Sequence, residues 1–314
     1  MRGFILGIIS ALFFSLTFIL NEVISSTQGN FLWTASLRYI FMLIILFVIL
    51  LTKKQVSEVY KHILEFPKEW IFWSTIGFGF FYLPLCFAST YGEGWLVAST
   101  WQITIVAGAL MTPLISKGKL PVKFLKLSLI ILLGIFIIQF ENFKVISLKS
   151  GLFGIIPVFI GAFAYPLGNR KMMNLVGERL TALQRVFGMT LCSLPFWIIV
   201  SIYGFFSSGY PKYNQILSSI LVALFSGVIA TTLFFKATDL SKNCPNRLAV
   251  IEATQATEIV FTIIGGVLLG NNLPSILSMV GIILIVIGII FGSFLKEKAH
   301  WIVNLFNGLF LRKY

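Results

Sequence analysis

Ten apolar runs, each close to the length that crosses a bilayer, leave this chain few ways to fold. They cover about residues 3–24, 31–51, 70–89, 95–115, 123–140, 151–169, 182–206, 214–236, 248–270 and 274–295. An α-helix rises 1.5 Å per residue, so about 20 apolar residues span a hydrocarbon core of about 30 Å. Of the 314 residues, 58% are hydrophobic and 11% charged, more apolar sequence than a soluble core needs. The expectation is an all-α integral membrane protein of ten transmembrane helices. The opening stretch, MRGFILGIISALFFSLTFILNEV, carries one Arg and then an apolar run longer than the roughly 7–15 residues of a signal-peptide core, with no A-x-A site after it. It reads as an uncleaved first helix.

The net charge of +13 would suit a nucleic-acid partner, but its placement does not. With the N-terminus in the cytoplasm, one side collects Arg2, four Lys in the 52–69 connection, Lys117, Lys119, Lys123, Lys126, Arg170, Lys171, Arg179, Lys236, Lys242, Arg247 and the basic residues after 295. The other side collects only Lys144, Lys149 and Lys212. This is the positive-inside asymmetry of a plasma (inner) membrane protein with both termini cytoplasmic. The basic residues then face an anionic leaflet, and no nucleic acid is expected. Trp33, Trp70, Trp73 and Trp95 fall near span ends, where indoles favour the interface. His62 and His300 lie in charged flanks and read as solvated surface residues. Cys86, Cys192 and Cys244 are isolated, with no CxxC or Cys/His cluster, so neither a metal, a cofactor nor a disulfide framework is expected.

The chain also resembles itself. At an offset near 147, LGII at 6–9 meets FGII at 153–156, and Arg38 in ASLRYIF meets Arg185 in TALQRVF. One residue further on, FAST at 87–90 meets FKAT at 235–238, and after an insertion before the ninth span ASTWQ at 98–102 meets EATQA at 252–256. These matches divide the chain into a first five-helix repeat (1–143) and a second (144–295). Five is odd, so the second copy is inverted in the membrane, the arrangement of transporters whose substrate site lies near the midplane between copies. Residues 296–314 place Trp301, Ile302, Leu305, Leu309 and Phe310 at helical spacing between basic ends, an expected amphipathic helix on the cytoplasmic surface.

Two five-helix repeats, each with an Arg near the start of its second helix, resemble the drug/metabolite transporter superfamily (ten-helix, EamA-like). FILNEV, WTASLRYIFML, GFGFFYLPLCFASTYGEGW and STWQITIVAGALMTPL are similar to its branch called "putative multidrug resistance efflux transporters". The resemblance covers most of the chain and is strongest in residues 1–140. It implies secondary transport, usually outward and ion-coupled. Many members of the wider superfamily carry a GE pattern after the fourth and ninth helices; here those positions read Lys117–Gly118 and Gly270–Asn271. Four-helix relatives use a Glu within the first helix, whereas Glu22 stands near the outer end of this one, so that coupling residue does not transfer by position.

The chemistry concentrates in AVIEATQATEIVFTIIGGVLLG (249–270), where Glu252 and Glu258 interrupt a membrane span. Ionisable residues at that depth face a cavity or a partner. At 1.5 Å per residue from the cytoplasmic end, Glu252 lies about 7 Å deep and Glu258 about 16 Å, near the midplane. Gln255 is three residues from each and can neighbour either. Six residues separate the two Glu, about 120° around a helix, so they need not share a site. Glu258 is the expected coupling or cation-binding carboxyl, and Glu252 the lining of a cytoplasmic vestibule; the alternative for Glu258 is a salt bridge to Arg38 or Arg185, or a protonated, hydrogen-bonding Glu. Trp101, Gln102 and Thr104 stand at the same depth of the fourth helix and suit an amphipathic or cationic substrate. Arg38 could bind an anionic substrate, pair with Glu22 or Glu258, or cap backbone carbonyls. Arg185 lies near the interface and is expected to snorkel. Tyr165 and Asn169 are candidates for the inner gate. Pro84, Pro113, Pro157, Pro166 and Pro195 mark possible helix breaks.

No P-loop is present, which excludes an ATP-driven pump in this chain, and no HExxH motif or membrane-depth His supports an enzyme. The expected function is ion-coupled efflux of small organic molecules (lipophilic cations or drugs) by alternating access, H+ ahead of Na+ as the coupling ion. The alternative is export or import of a polar metabolite such as an amino acid or sugar, and a third reading is a non-transporting membrane adaptor. Both repeats lie in one chain, so a monomer could suffice, with a homodimer as the other possibility.

Overall fold

Helix boundaries follow local sequence chemistry. Asn30 accepts a hydrogen bond from the Leu32 N–H (2.8 Å) at the start of one helix. Thr181 and Gln184 form a reciprocal capping box at another. Gly177 and Gly209, at φ 61° and 70°, end two helices in a conformation that costs other residues a Cβ clash. The computed structural model describes residues 2–116, 122–145, 147–241, 245–288 and 291. Among them the elements are α1 (Arg2–Ser26), α2 (Phe31–Thr52), α3 (Val56–Glu65), α4 (Pro67–Ala88), α5 (Gly94–Leu110), α6 (Val122–Val145), α7 (Leu148–Val176), α8 (Ala182–Ser208), α9 (Tyr213–Asp239), α10 (Pro245–Ala253 and Thr257–Leu268, joined by a 3-10 turn at Thr254–Ala256) and α11 (Ile276–Gly288).

Among the described residues, seven helices are long and apolar enough to cross a membrane: α1, α2, α4, α7, α8, α9 and the Val250–Leu268 part of α10. Gly94–Leu110, Ser128–Phe143 and Ile276–Gly288 are shorter apolar helices. Between 44% and 50% of the most apolar stretch of each long helix is buried in the protein, so each turns one face inward and leaves the rest for lipid. The chain is an all-helical, multi-pass membrane protein. The expected tail helix (296–314), Lys117–Gly118, Cys244 and His300 lie outside the described residues.

The halves interleave. α1 packs against α9 and α10, whereas α7 packs against α4 and α5, and α2 lies along α8. α6 and α11 meet reciprocally: a Cβ on Gly134 would lie 2.5 Å from the Gly281 carbonyl, and a Cβ on Gly281 2.8 Å from that of Gly134. Small residues let backbones approach where lipid offers no hydrophobic drive for helix association. α4 and α9 each contain a π-helical stretch, Thr75–Gly79 and Val222–Ala230. Pro84, Pro157, Pro166 and Pro195 lie inside helices that continue past them. The interruptions of α5 and α10 fall instead at Gln102 and Thr254–Ala256.

Three expectations need correction at one end of the bundle. The 52–69 connection is not a loop: it holds α3. His62 is not solvated but 4% exposed, its Nδ1 accepting from the Trp70 indole N–H at 3.0 Å. Trp70 does not sit at an exposed interface; it is fully buried beneath α3. Gln184 donates to Glu58 and Arg179 to Glu65 (2.9 Å), which ties α3 to α8 and to the turn before it. An amphipathic helix closed over an aromatic base explains why a charged connection carries a buried imidazole.

Candidate functional site

Polar residues on one face of α1 begin the site. Ser10, Thr17 and Asn21 recur at spacings of seven and four, so they align on one side of a helix, and all three are buried. Thr17 donates to Ser226 Oγ in α9. Arg38, in α2, donates to both hydroxyls, 3.3 Å to Thr17 and 3.1 Å to Ser226. Its guanidinium carbon stands 4.1 Å from the Tyr82 ring centroid, within cation–π range. Asn21 holds Tyr82 from behind, accepting from its hydroxyl at 3.1 Å.

Arg38 opens onto a small cavity lined by the buried residues Phe14, Thr17, Phe18, Phe81, Leu85, Trp101, Tyr165, Gln255 and Glu258. The space open to a water-molecule centre is about 20 Å³, room for a water or two. Phe81 is the hinge of its aromatic wall, 5.1 Å from the Trp101 ring and 4.6 Å from Tyr165. Glu258 is 1% exposed. Arg38 Nε, Tyr165 Oη, Gln255 Nε2 and Glu258 Oε2 are buried with no hydrogen-bond partner among the described residues. Buried polar atoms normally are paired, so four such atoms around one cavity demand an explanation. Arg38 and Glu258 do not form an ion pair with each other.

Five expected residues thus surround one cavity: Glu258, Gln255, Trp101, Arg38 and Tyr165. The other four are elsewhere. Gln102 is fully buried at the break in α5, bonding back to the Ala98 carbonyl. Thr104 ties α5 to α7 through the Ala162 carbonyl at 3.1 Å. Asn169 is buried in α7 with Oδ1 unpartnered. Glu252 is locked to Arg170.

That lock joins three helices. Arg170 (α7) donates Nε to Glu252 Oε1 at 3.0 Å and Nη2 to Oε2 at 2.6 Å, while Nη1 donates to the Gly108 carbonyl of α5 at 2.8 Å. The two side chains are 9% and 15% exposed. The 3-10 turn at Thr254–Ala256 separates Glu252 from Glu258, so one Glu serves the lock and the other the cavity. The turn is itself wedged by α1: a Cβ on Gly7 would lie 2.3 Å from Thr254 Oγ1. Near the opposite end of α1, Glu22 accepts from the Gly94 N–H (2.7 Å) and from Asn271 Nδ2 (2.6 Å), a carboxylate set against the positive N-terminus of α5.

Two expected pairings are corrected. Glu22 bonds Gly94 and Asn271, not Arg38. Arg185 does not snorkel; it is 1% exposed and pairs with Asp239 at 2.7 Å, with its guanidinium 4.4 Å from the Phe235 centroid. Asp239, four residues past the buried Phe235, and Phe14 and Thr17, seven and four residues below Asn21 on the α1 face, are not among the expected residues. The polar spacing along α1 is a signal for Thr17; Asp239 and Phe14 carry none of that kind.

The family model described as "EmrE: Putative multidrug resistance efflux transporter" matches residues 1–298. "Uncharacterized protein YjlA" of Bacillus subtilis (strain 168) is 44% identical over 310 residues, covering 95% of this chain and 96% of that protein. An "Uncharacterized 42.1 kDa protein" of Shouchella clausii is 40% identical over 267 residues, covering 82% and 70%. A solved structure described only as "Crystal structure of protein" superposes with a TM-score of 0.66 at 15% identity, covering 95% of this chain and 98% of that one, a likeness of fold. The match across nearly the whole chain identifies it as a member of the EmrE family, the one described as "Putative multidrug resistance efflux transporter".

Proposed function

We propose that this protein is an ion-coupled secondary transporter of the plasma membrane that exports small organic molecules through the cavity at Glu258, with ten spans, both termini cytoplasmic, and H+ as the coupling ion. The observation that carries the reading is the convergence of unpartnered polar atoms from α2, α7 and α10 on one buried, aromatic-walled cavity. A structural carboxyl at that depth would have a partner; Glu252 has one. Glu258, left without one, is free to exchange a proton for substrate. The inverted five-helix repeat belongs to the same proposal. It is supported by the reciprocal packing of α1 and α7, by π-helical stretches that begin 147 residues apart, and by the mutual contact of Gly134 and Gly281, also 147 apart. Alternating access then means rocking of one half on the other around the cavity. One chain holds the whole cavity, so a monomer suffices.

Aromatic walls and a buried carboxyl favour an organic cation as substrate. A second reading, a polar metabolite, is favoured by Arg38, which faces the same cavity. Solid-supported-membrane currents test the proposal: wild type beside Glu258→Gln, challenged with organic cations, amino acids and sugars across a pH series. A substrate-evoked, pH-dependent current that disappears in Glu258→Gln is expected. Currents unchanged by the substitution would overturn the coupling role.

A further inference from the structure

The cavity carries groups of both kinds, and their count points to a substrate class. Three of the unpartnered atoms are hydrogen-bond donors or can act as one: Arg38 Nε, Gln255 Nε2 and Tyr165 Oη. The fourth, Glu258 Oε2, belongs to the one carboxyl that lines the cavity. All four residues are at least nine-tenths buried. Thr17, the remaining polar lining residue, already donates to Ser226 and accepts from Arg38. A simple cation would pair with Glu258 but leave the donors unanswered and bring a like charge towards a guanidinium without a carboxylate partner. A simple anion would meet the donors and face Glu258. Phe14, Phe18, Phe81, Leu85 and Trp101 supply an apolar wall that neither charge needs.

We infer that the cavity binds zwitterions built on an aromatic or large apolar frame, the anionic group on Arg38, Gln255 and Tyr165 and the cationic group on Glu258. This rests on the transport reading above and narrows its substrate. Charge-assisted hydrogen bonds to a buried guanidinium are the strong kind, so loss of the anionic group should be felt about tenfold or more.

The test uses two zwitterions of different charge spacing, L-phenylalanine and 4-(aminomethyl)benzoate. Each is compared with its methyl ester, which keeps only the cation, and its N-acetyl derivative, which keeps only the anion. Concentration dependence is read by solid-supported-membrane currents and by ligand-induced shifts in thermal unfolding of the full-length protein. In wild type at least one zwitterion should act at about tenfold lower concentration than both its derivatives. Arg38→Gln should erase that advantage over the ester, and Arg38→Lys should restore part of it. The wild-type ranking needs no variant, so a misfolded Arg38→Gln leaves the inference exposed. Esters equal to or better than both zwitterions would overturn it, as would silence with both zwitterions. Ester currents that remain pH-dependent and need Glu258 would in that case leave the transport proposal standing, whereas currents indifferent to Glu258→Gln would sink the transport proposal itself.

Discussion

Two Glu–Arg combinations lie buried in the same bundle, and the fold treats them in opposite ways. Glu252 and Arg170 are joined by three hydrogen bonds and tied to the Gly108 carbonyl. Glu258 and Arg38 line one cavity and stay unjoined. Arg185 sides with the first pair, since Asp239 answers it. Burying two charges costs several kcal/mol, repaid only when they pair well; a closed pair is therefore what structure requires, and an open one needs another reason. On the transport proposal, the closed pair serves stability and the open combination serves function.

The largest effects should cross between them. Glu258→Gln should abolish pH-dependent current yet leave thermal unfolding close to wild type, because no protein partner is stranded. Glu252→Gln should do the reverse, leaving Arg170 buried without its carboxylate at a cost of about 3–5 kcal/mol. Thermal unfolding of both variants in one detergent checks this. The exchanged variant Glu252→Arg with Arg170→Glu should recover part of the loss, and a double-mutant cycle would measure the coupling. If Glu258→Gln proves the less stable of the two, the division fails.

Gly168→Ala probes what holds the clusters in register. Tyr165 of the cavity and Arg170 of the lock both ride on α7, and Gly168 lies between them. A Cβ there would stand 2.3 Å from the Gly77 Cα, a backbone atom that cannot swing aside. α4 and α7 must separate, at about 1–3 kcal/mol, the usual range for overpacking. Both stability and current should fall together, unlike either Glu variant. A loss of stability alone would mean that the cavity does not depend on this contact.

The sequence made the membrane class and the apolar runs legible, because length and hydropathy report directly on lipid. It could not reveal which Arg answers which carboxylate. Arg170 looked cytoplasmic because it stands beside Lys171, yet it is 7% exposed and reaches inward to α10, 82 residues on. Nor could it place every break: Pro113 does stand two residues past the turn at Met111 that ends α5, but α5 and α10 are also interrupted at Gln102 and Thr254–Ala256, where no proline stands. Pairing and register are decided between helices, and periodicity along one helix carries no record of its neighbour.

The smallest expected effect lies away from both clusters, at His62, and sharpens the rule that buried polar groups with partners serve structure. Burial holds its imidazole below the ordinary value, helped by the Arg179 guanidinium and opposed by Glu65. The sign follows: below the ordinary value of about 6.5 the unfolded chain takes up the proton more readily than the folded one, so stability falls with pH until the folded group also titrates. Protonation at Nδ1 would break the bond from Trp70 and loosen α3. His62→Gln keeps a neutral acceptor for the indole N–H. Its stability at neutral pH should stay within about 1 kcal/mol of wild type, and the part of the acid-side decline due to this residue should vanish. Thermal unfolding of both proteins from pH 5 to 8 would reveal it. Parallel curves would show that the imidazole does not titrate across this window, and would reduce α3 to a lid held by Glu58 and Arg179 alone.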